Sequence, residues 1–186
     1  MNKKKILVLL ATLVISTALA ACGNSDSGYT TGDNSKDGRS QVSQGELQSI
    51  PDFSAKDIEG NKVDNSIFKE NKVTLVNVWA TWCGPCVNEL PEIQKVYSEL
   101  KDQGIGVVGI VADGNDAEDT AKELIELDSL TYKMIIPDSN LEKKLISTLR
   151  GFPTSYVVDS EGKILGMKLG GMNAEGFKAF IEQYAK

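Results

Sequence analysis

The sequence predicts a single α/β domain, and three features carry that reading. Two β-rich runs, Val73–Trp79 and Ile105–Val111, are nearly unbroken in apolar character, as strands covered on both faces are. Each is followed by apolar residues at helical spacing. The chain then closes with a strand pair and an amphipathic helix. Such alternation layers helices on a sheet.

Taken in order, a hairpin comes first. Residues 53–58 and Lys62-Val63 flank Glu59-Gly60-Asn61, a turn sequence between short strand-forming stretches. After Val73–Trp79, the residues Val87, Leu90, Ile93, Val96 and Leu100 recur at helical spacing. Pro91 lies inside that helix, and its missing N–H predicts a kink. Beyond Ile105–Val111, Asp116 can cap a helix to about Leu127, with Ala117, Ala121, Leu124 and Ile125 facing inward. Residues 132–136 form a further strand stopped by Pro137. Ser139-x-x-Glu142 is a capping-box pattern ahead of Leu141, Leu145, Thr148 and Leu149. Tyr156-Val157-Val158 is a strand that Ser160-Glu161-Gly162 turns into residues 163–169. Asn173 caps a last helix whose inner face is Phe177, Phe180, Ile181 and Tyr184.

The chain has 186 residues, 41% hydrophobic and 25% charged, enough for one domain with a buried core and a leader. Net charge is −6; beyond residue 21 it is −9, from 17 basic and 26 acidic residues. An acidic balance argues against nucleic acid as a partner, because phosphate contacts need clustered Lys and Arg. It argues equally against a polybasic membrane patch. The chain has no histidine, which removes Ser-His-Asp and Cys-His nucleophile schemes and most transition-metal sites.

Lys3, Lys4 and Lys5 precede an apolar run over residues 6–20, short for a membrane span and right for a signal h-region. The run ends Leu19-Ala20-Ala21-Cys22, which resembles the lipobox of bacterial lipoproteins. The resemblance implies that residues 1–21 are removed and that Cys22 is lipidated. An ordinary cleavable signal with a chance cysteine is the alternative. Residues 22–49 are rich in Gly, Ser, Asn and Asp and hold too little apolar surface to offset ordering entropy. They read as a flexible tether spanning about 30 Å. It either extends the reach of the domain, residues 50–186, or is a passive spacer.

The chemistry is concentrated in Trp82-Cys83-Gly84-Pro85-Cys86. A strand feeding a helix through this turn puts the first sulfur at the helix N-terminus. Unpaired N–H groups and partial positive charge there favour thiolate over thiol. Cys86, one turn later, is within reach to form or resolve a disulfide. Pro85 fits the first helical turn. The alternatives are a zinc half-site or two inert core cysteines. Zinc usually takes four ligands, and the chain offers only one further cysteine.

Trp-Cys-Gly-Pro-Cys after an apolar strand resembles the thioredoxin active site. Residues 78–86, followed by Glu89-Leu90-Pro91, are similar to the TlpA/ResA-type thiol-disulfide oxidoreductases. The resemblance covers residues 50–186. It implies a thioredoxin-like three-layer sandwich with an N-terminal hairpin and a central helix–strand insert over residues 116–136. It implies Cys83 as the exposed nucleophile, Cys86 as the resolving thiol, and Gly84-Pro85 as a dipeptide leaning toward reduction. Gly151-Phe152-Pro153-Thr154 resembles the family's cis-proline loop, which with Trp82 would meet the substrate chain; a trans proline opening a strand is the alternative. Glu89 matches a glutamate tied to acid–base behaviour in the ResA-type motif, although a solvated helix-surface acid has the same spacing. Asn77 replaces the buried aspartate of plain thioredoxin, and an amide cannot act as a base.

The implied protein is a monomeric, extracytoplasmic, lipid-anchored thiol-disulfide oxidoreductase. Its expected chemistry is reduction of protein disulfides, in apocytochrome c, methionine sulfoxide reductase or other exported proteins. Electrons would come from a membrane thiol carrier of the CcdA type. The expected redox group is the Cys83/Cys86 pair itself, with no other cofactor and no metal. A disulfide-forming oxidase or isomerase, or a non-catalytic surface-binding lipoprotein, are the competing functions. A peroxidase needs Pro-x-x-x-Thr-x-x-Cys, which the chain lacks.

Overall fold

A computed structural model describes residues 47–186. The predicted signal peptide, Cys22 and the tether up to residue 46 lie outside the described residues. The strands are β1 (Ser54–Asp57), β2 (Lys62–Asp64), β3 (Val73–Trp79), β4 (Ile105–Val111), β5 (Lys133–Ile136), β6 (Thr154–Asp159) and β7 (Ile164–Leu169). The helices are α1 (Gly84–Leu100), α2 (Gly114–Leu127), α3 (Ser139–Lys144) and α4 (Ala174–Glu182). All seven strands join one mixed sheet in the order β2-β1-β5-β4-β3-β6-β7. β3, β4 and β5 run parallel, whereas β1–β2, β1–β5, β3–β6 and β6–β7 are antiparallel.

The central strand explains the layering. Every residue of β3 is buried, and alternation sends successive side chains to opposite faces. Val73, Leu75 and Trp79 pack with Leu90, Ile93 and Val96 of α1 and with Phe177 and Ile181 of α4. Val76 and Val78 pack on the other face with Phe53, Phe68, Leu141 and Leu145. Asn77 shares the parity of Leu75 and Trp79, so the same alternation delivers its amide to the α1 side. The predicted insert is present as α2 and β5. β5 sits between β4 and β1, and so carries the N-terminal hairpin into the sheet. Gly60, at φ +87°, makes that hairpin's turn in the left-handed region open to glycine.

Three local expectations change. α2 starts at Gly114 rather than at a cap on Asp116, and Ala117 (φ −130°, ψ 32°) interrupts it. Asp138, not Ser139, caps α3; its Oδ1 accepts the N–H groups of Asn140 and Leu141 at 3.1 and 2.9 Å. Glu142 accepts from Asn115 Nδ2 at 2.8 Å instead of reaching back to the cap. α1 continues through Pro91 to Leu100, with the fully buried Leu90 and Ile93 seating it on the sheet on either side. The chain also joins the sheet before residue 50. Ser49 bridges Lys163, and the Gln48 carbonyl accepts the Ile164 N–H at 2.9 Å. Those are backbone contacts, invisible in a polar composition. The expected cap on α4 is present, with Asn173 accepting the Gly176 N–H at 2.9 Å.

Asp57, at the end of β1, is buried and accepts from Lys133 Nζ at 2.7 Å, the Asn61 N–H at 2.7 Å and the Glu59 N–H at 3.1 Å. Burial alone would push this carboxyl up. The bonds from Lys133 and Asn61 outweigh it and hold the group at about 2, below its ordinary 3.8. A depressed folded-state value means stability that is present above pH 4 and lost as pH falls through 2, on the order of 2 kcal/mol. Asp57→Asn is therefore expected to cost about 2 kcal/mol at pH 7 in urea unfolding, with the difference from wild type closing toward pH 2.

Among the described residues no helix is long and apolar enough to cross a membrane, and no group of three or more His, Cys, Asp or Glu is placed to hold a metal ion.

Candidate active site

β3 ends at Trp79, and residues 80–82 turn the chain into α1. The Cys83 N–H donates to the Ala80 carbonyl at 3.1 Å, and Cys83 occupies the N-cap of α1. Gly84 opens the helix, Pro85 follows where an N–H is dispensable, and the first turn carries no acidic side chain. Cys83 and Cys86 are joined, with S–S 2.08 Å and Cα–Cα 5.2 Å. The sequence leads one to expect an exposed Cys83. In the disulfide form it is only 6% exposed and Cys86 is 0% exposed, so Cys83 is the accessible member by a narrow margin. Packing of the residues around the turn, which a motif does not encode, covers the rest of it.

Trp82 is 70% exposed and packs edge-to-face on Phe152, with centroids 5.7 Å apart. The Phe152–Pro153 bond is cis. Thr154 pairs with Val78 across β6 and β3, so this loop leaves the sheet beside the strand end that leads to Cys83. Thr154 Oγ1 donates to the Gly151 carbonyl at 2.7 Å, and the Pro153 carbonyl accepts the Gly170 N–H at 2.9 Å.

Glu89, one turn beyond Cys86, is not a solvated surface acid. It is 3% exposed, on the inner face with Cys86, Leu90, Ile93 and Val96. Its Oε1 accepts from Asn77 Nδ2 at 2.7 Å, and its Oε2 accepts the Met172 N–H at 3.2 Å. The same Asn77 amide nitrogen donates to Ser155 Oγ at 3.0 Å. Burial pushes the Glu89 carboxyl up from 4.5 to about 7, against hydrogen bonds from Asn77 and Met172 that favour the ionised form. The carboxyl thus changes charge near neutral pH although two donors face it. Asn77, which cannot itself exchange a proton in this range, orients the group that can.

Several contributors are not singled out by sequence reasoning. Ser155 and Met172 join through strand register and through the loop after β7. Asp113 reads as an ordinary residue before a helix. Its carboxylate instead accepts the Thr81 N–H at 3.1 Å and the Thr81 hydroxyl at 2.6 Å. The sequence signal for Glu89 is stronger than its charge suggests: positions 86, 89, 93, 96 and 100 all fall on the inner helical stripe.

The AhpC/TSA family model matches residues 47–167. The thiol-disulfide oxidoreductase ResA of Halalkalibacterium halodurans is 30% identical over 97% of this chain and 96% of that protein. ResA of Oceanobacillus iheyensis is 26% identical over 98% of this chain and 88% of that one. Among solved structures, StoA from Bacillus subtilis has a TM-score of 0.58 and 26% identity, covering 72% of this chain and 98% of that one. The thioredoxin domain of a Bacteroides vulgatus thiol-disulfide oxidoreductase has a TM-score of 0.64 and 28% identity, covering 74% and 96%. The family match over residues 47–167 and the 30%-identical ResA, with a disulfide at the head of a helix, place the chain in the AhpC/TSA family as a thioredoxin-like thiol-disulfide oxidoreductase.

Proposed function

We propose that the chain works outside the cytoplasmic membrane, anchored through lipid on Cys22, and reduces disulfides in exported proteins. The observation that carries the chemistry is Cys83 at the N-cap of α1 with Cys86 joined to it one turn on. In the reduced protein the Cys83 thiolate attacks one sulfur of a substrate disulfide. That S–S bond breaks, a mixed disulfide forms on Cys83, and the departing sulfur takes a proton. Cys86 then loses its proton and attacks the Cys83 sulfur. The second substrate thiol leaves, and the Cys83–Cys86 bond re-forms. Two electrons pass to the substrate, and a membrane thiol carrier of the CcdA type would return them.

Glu89 is the acid–base group for Cys86 in this reading. It lies one turn away and titrates near neutrality, so it can accept the Cys86 proton as that thiol becomes a nucleophile. Trp82 and Phe152 form the contact surface for the substrate chain, and Pro153 and Thr154, which are buried, shape the loop behind them. Because the Pro153 carbonyl is already engaged by Gly170, the Phe152 backbone is the part of this loop suited to pair with an extended segment. Apocytochrome c and methionine sulfoxide reductase are candidate substrates, and the protein acts as a monomer.

The direction of electron flow is tested by equilibrating the protein in thiol–disulfide buffers. A midpoint near −270 mV is expected for a reductant; one near −120 mV makes the protein an oxidant, and the reductase reading fails.

A further inference from the structure

We infer that Asp113 is a positioning residue for Cys83, acting through Thr81. The proposal rests on Cys83 being the attacking sulfur. Asp113 occupies the N-cap of α2, where an aspartate ordinarily accepts an N–H of its own helix. It makes no such bond. Both its oxygens turn to a residue 32 positions earlier: the Thr81 N–H lies 3.1 and 3.2 Å from Oδ1 and Oδ2, and the Thr81 hydroxyl donates to Oδ2 at 2.6 Å. α2 is left without a side-chain cap and is interrupted at Ala117. A second tie runs alongside, from the Ala112 N–H to the Trp79 carbonyl at 2.7 Å. The junction between β4 and α2 therefore grips the junction between β3 and α1, immediately ahead of Trp82 and Cys83.

While Cys83 and Cys86 are joined, the disulfide also holds this turn. Once it opens, the turn is held at Cys83 by two backbone bonds, from its N–H to the Ala80 carbonyl and from the Val87 N–H to its carbonyl, and, two residues back, by the tie to Asp113. Hydrogen bonds to a carboxylate are about twice as strong as neutral ones. What they hold matters, because the helix-end field that favours thiolate falls off within the first turn. A sulfur that drifts from the end of α1 becomes a weaker acid and a slower nucleophile.

The carboxylate's own charge works the other way, since a nearby anion disfavours a thiolate. Glu89, one turn beyond Cys86 and buried with it on α1, is unchanged in every variant below. Thr81→Ala removes the hydroxyl bond and keeps the Asp113 charge; Asp113→Ala removes both.

The test uses the reduced full chain and follows iodoacetamide alkylation of Cys83 against pH, with peptide mass spectrometry separating it from Cys86. Insulin reduction is measured in parallel. Thr81→Ala is expected to raise the Cys83 midpoint by about half a pH unit and to slow insulin reduction roughly three- to tenfold at pH 7. Thr81→Ser, which keeps the hydroxyl, is expected to restore both, and Asp113→Ala to shift the midpoint upward despite losing a negative charge. Unchanged midpoints in Thr81→Ala and Asp113→Ala overturn the proposal, even if both variants melt earlier. So does a lowered midpoint in Asp113→Ala beside an unchanged Thr81→Ala, because the carboxylate then acts only as a charge. If wild-type Cys86 alkylates ahead of Cys83, the reading of Cys83 as attacking sulfur fails, separately from the tie.

Discussion

Cys83→Ser abolishes insulin-disulfide reduction, a loss of at least about three orders of magnitude, because serine at this position cannot supply a thiolate to open the substrate disulfide. Cys86→Ser gives a different failure. Cys83 still attacks, but nothing resolves the product, and the substrate stays bound to Cys83 through one disulfide. The asymmetry follows from the geometry: Cys83 is at the helix end, whereas Cys86 lies inside α1 and is fully buried. Non-reducing electrophoresis and peptide mapping separate the two variants. A substrate adduct at Cys86 in Cys83→Ser, or full turnover in Cys86→Ser, reverses the assignment of roles. Applied to exported proteins, the Cys86→Ser trap also names the physiological partner.

Glu89→Gln gives a stability change whose sign depends on pH. The folded-state value is raised, from 4.5 to about 7. Below pH 4.5 the carboxyl is protonated in both folded and unfolded chains and contributes no pH dependence. Between 4.5 and 7 the unfolded chain releases this proton while the folded one keeps it, so stability falls as pH rises. Above 7 the loss is complete, at about 3 kcal/mol. An uncharged amide never incurs that loss. It has only one acceptor, however, for the two donors from Asn77 and Met172, a pH-independent cost of about 1–2 kcal/mol. The variant is therefore expected to be less stable than wild type at pH 4 and more stable at pH 8, with curves crossing near pH 6. Urea unfolding across this range checks it. A constant difference at every pH means that Glu89 titrates at its ordinary value in the folded chain. The same variant is expected to slow the resolving step above pH 6, with attack by Cys83 little changed.

Much of the molecule was legible because its information is local. Val73–Trp79 reads as a buried strand from seven consecutive residues, and the CxxC follows directly, so the position of Cys83 at a helix end needs no distant contact. The glycine in Glu59-Gly60-Asn61 marks a turn, and Asn173 marks a helix start, by chemistry confined to a few residues. The local signals that misled are instructive. Ser139 and Glu142 fit a capping box, but Asp138 stands one residue earlier and takes both N–H groups. Asp116 is a capping residue type ahead of apolar residues at helical spacing, but α2 begins two residues earlier, at Gly114.

From its residues alone the chain determined its α/β layering, the side of the sheet each strand residue faces, and a sulfur pair at a strand–helix turn, since periodicity and turn chemistry act over one or two turns of chain. Tertiary structure decided how those sulfurs are tuned. Glu89 meets Asn77 12 residues away and Met172 83 away, and Asp113 meets Thr81 across 32. The proton affinity of a carboxyl depends on how much water its neighbours exclude and how many donors they aim at it, and those neighbours arrive only when the sheet and helices close around it.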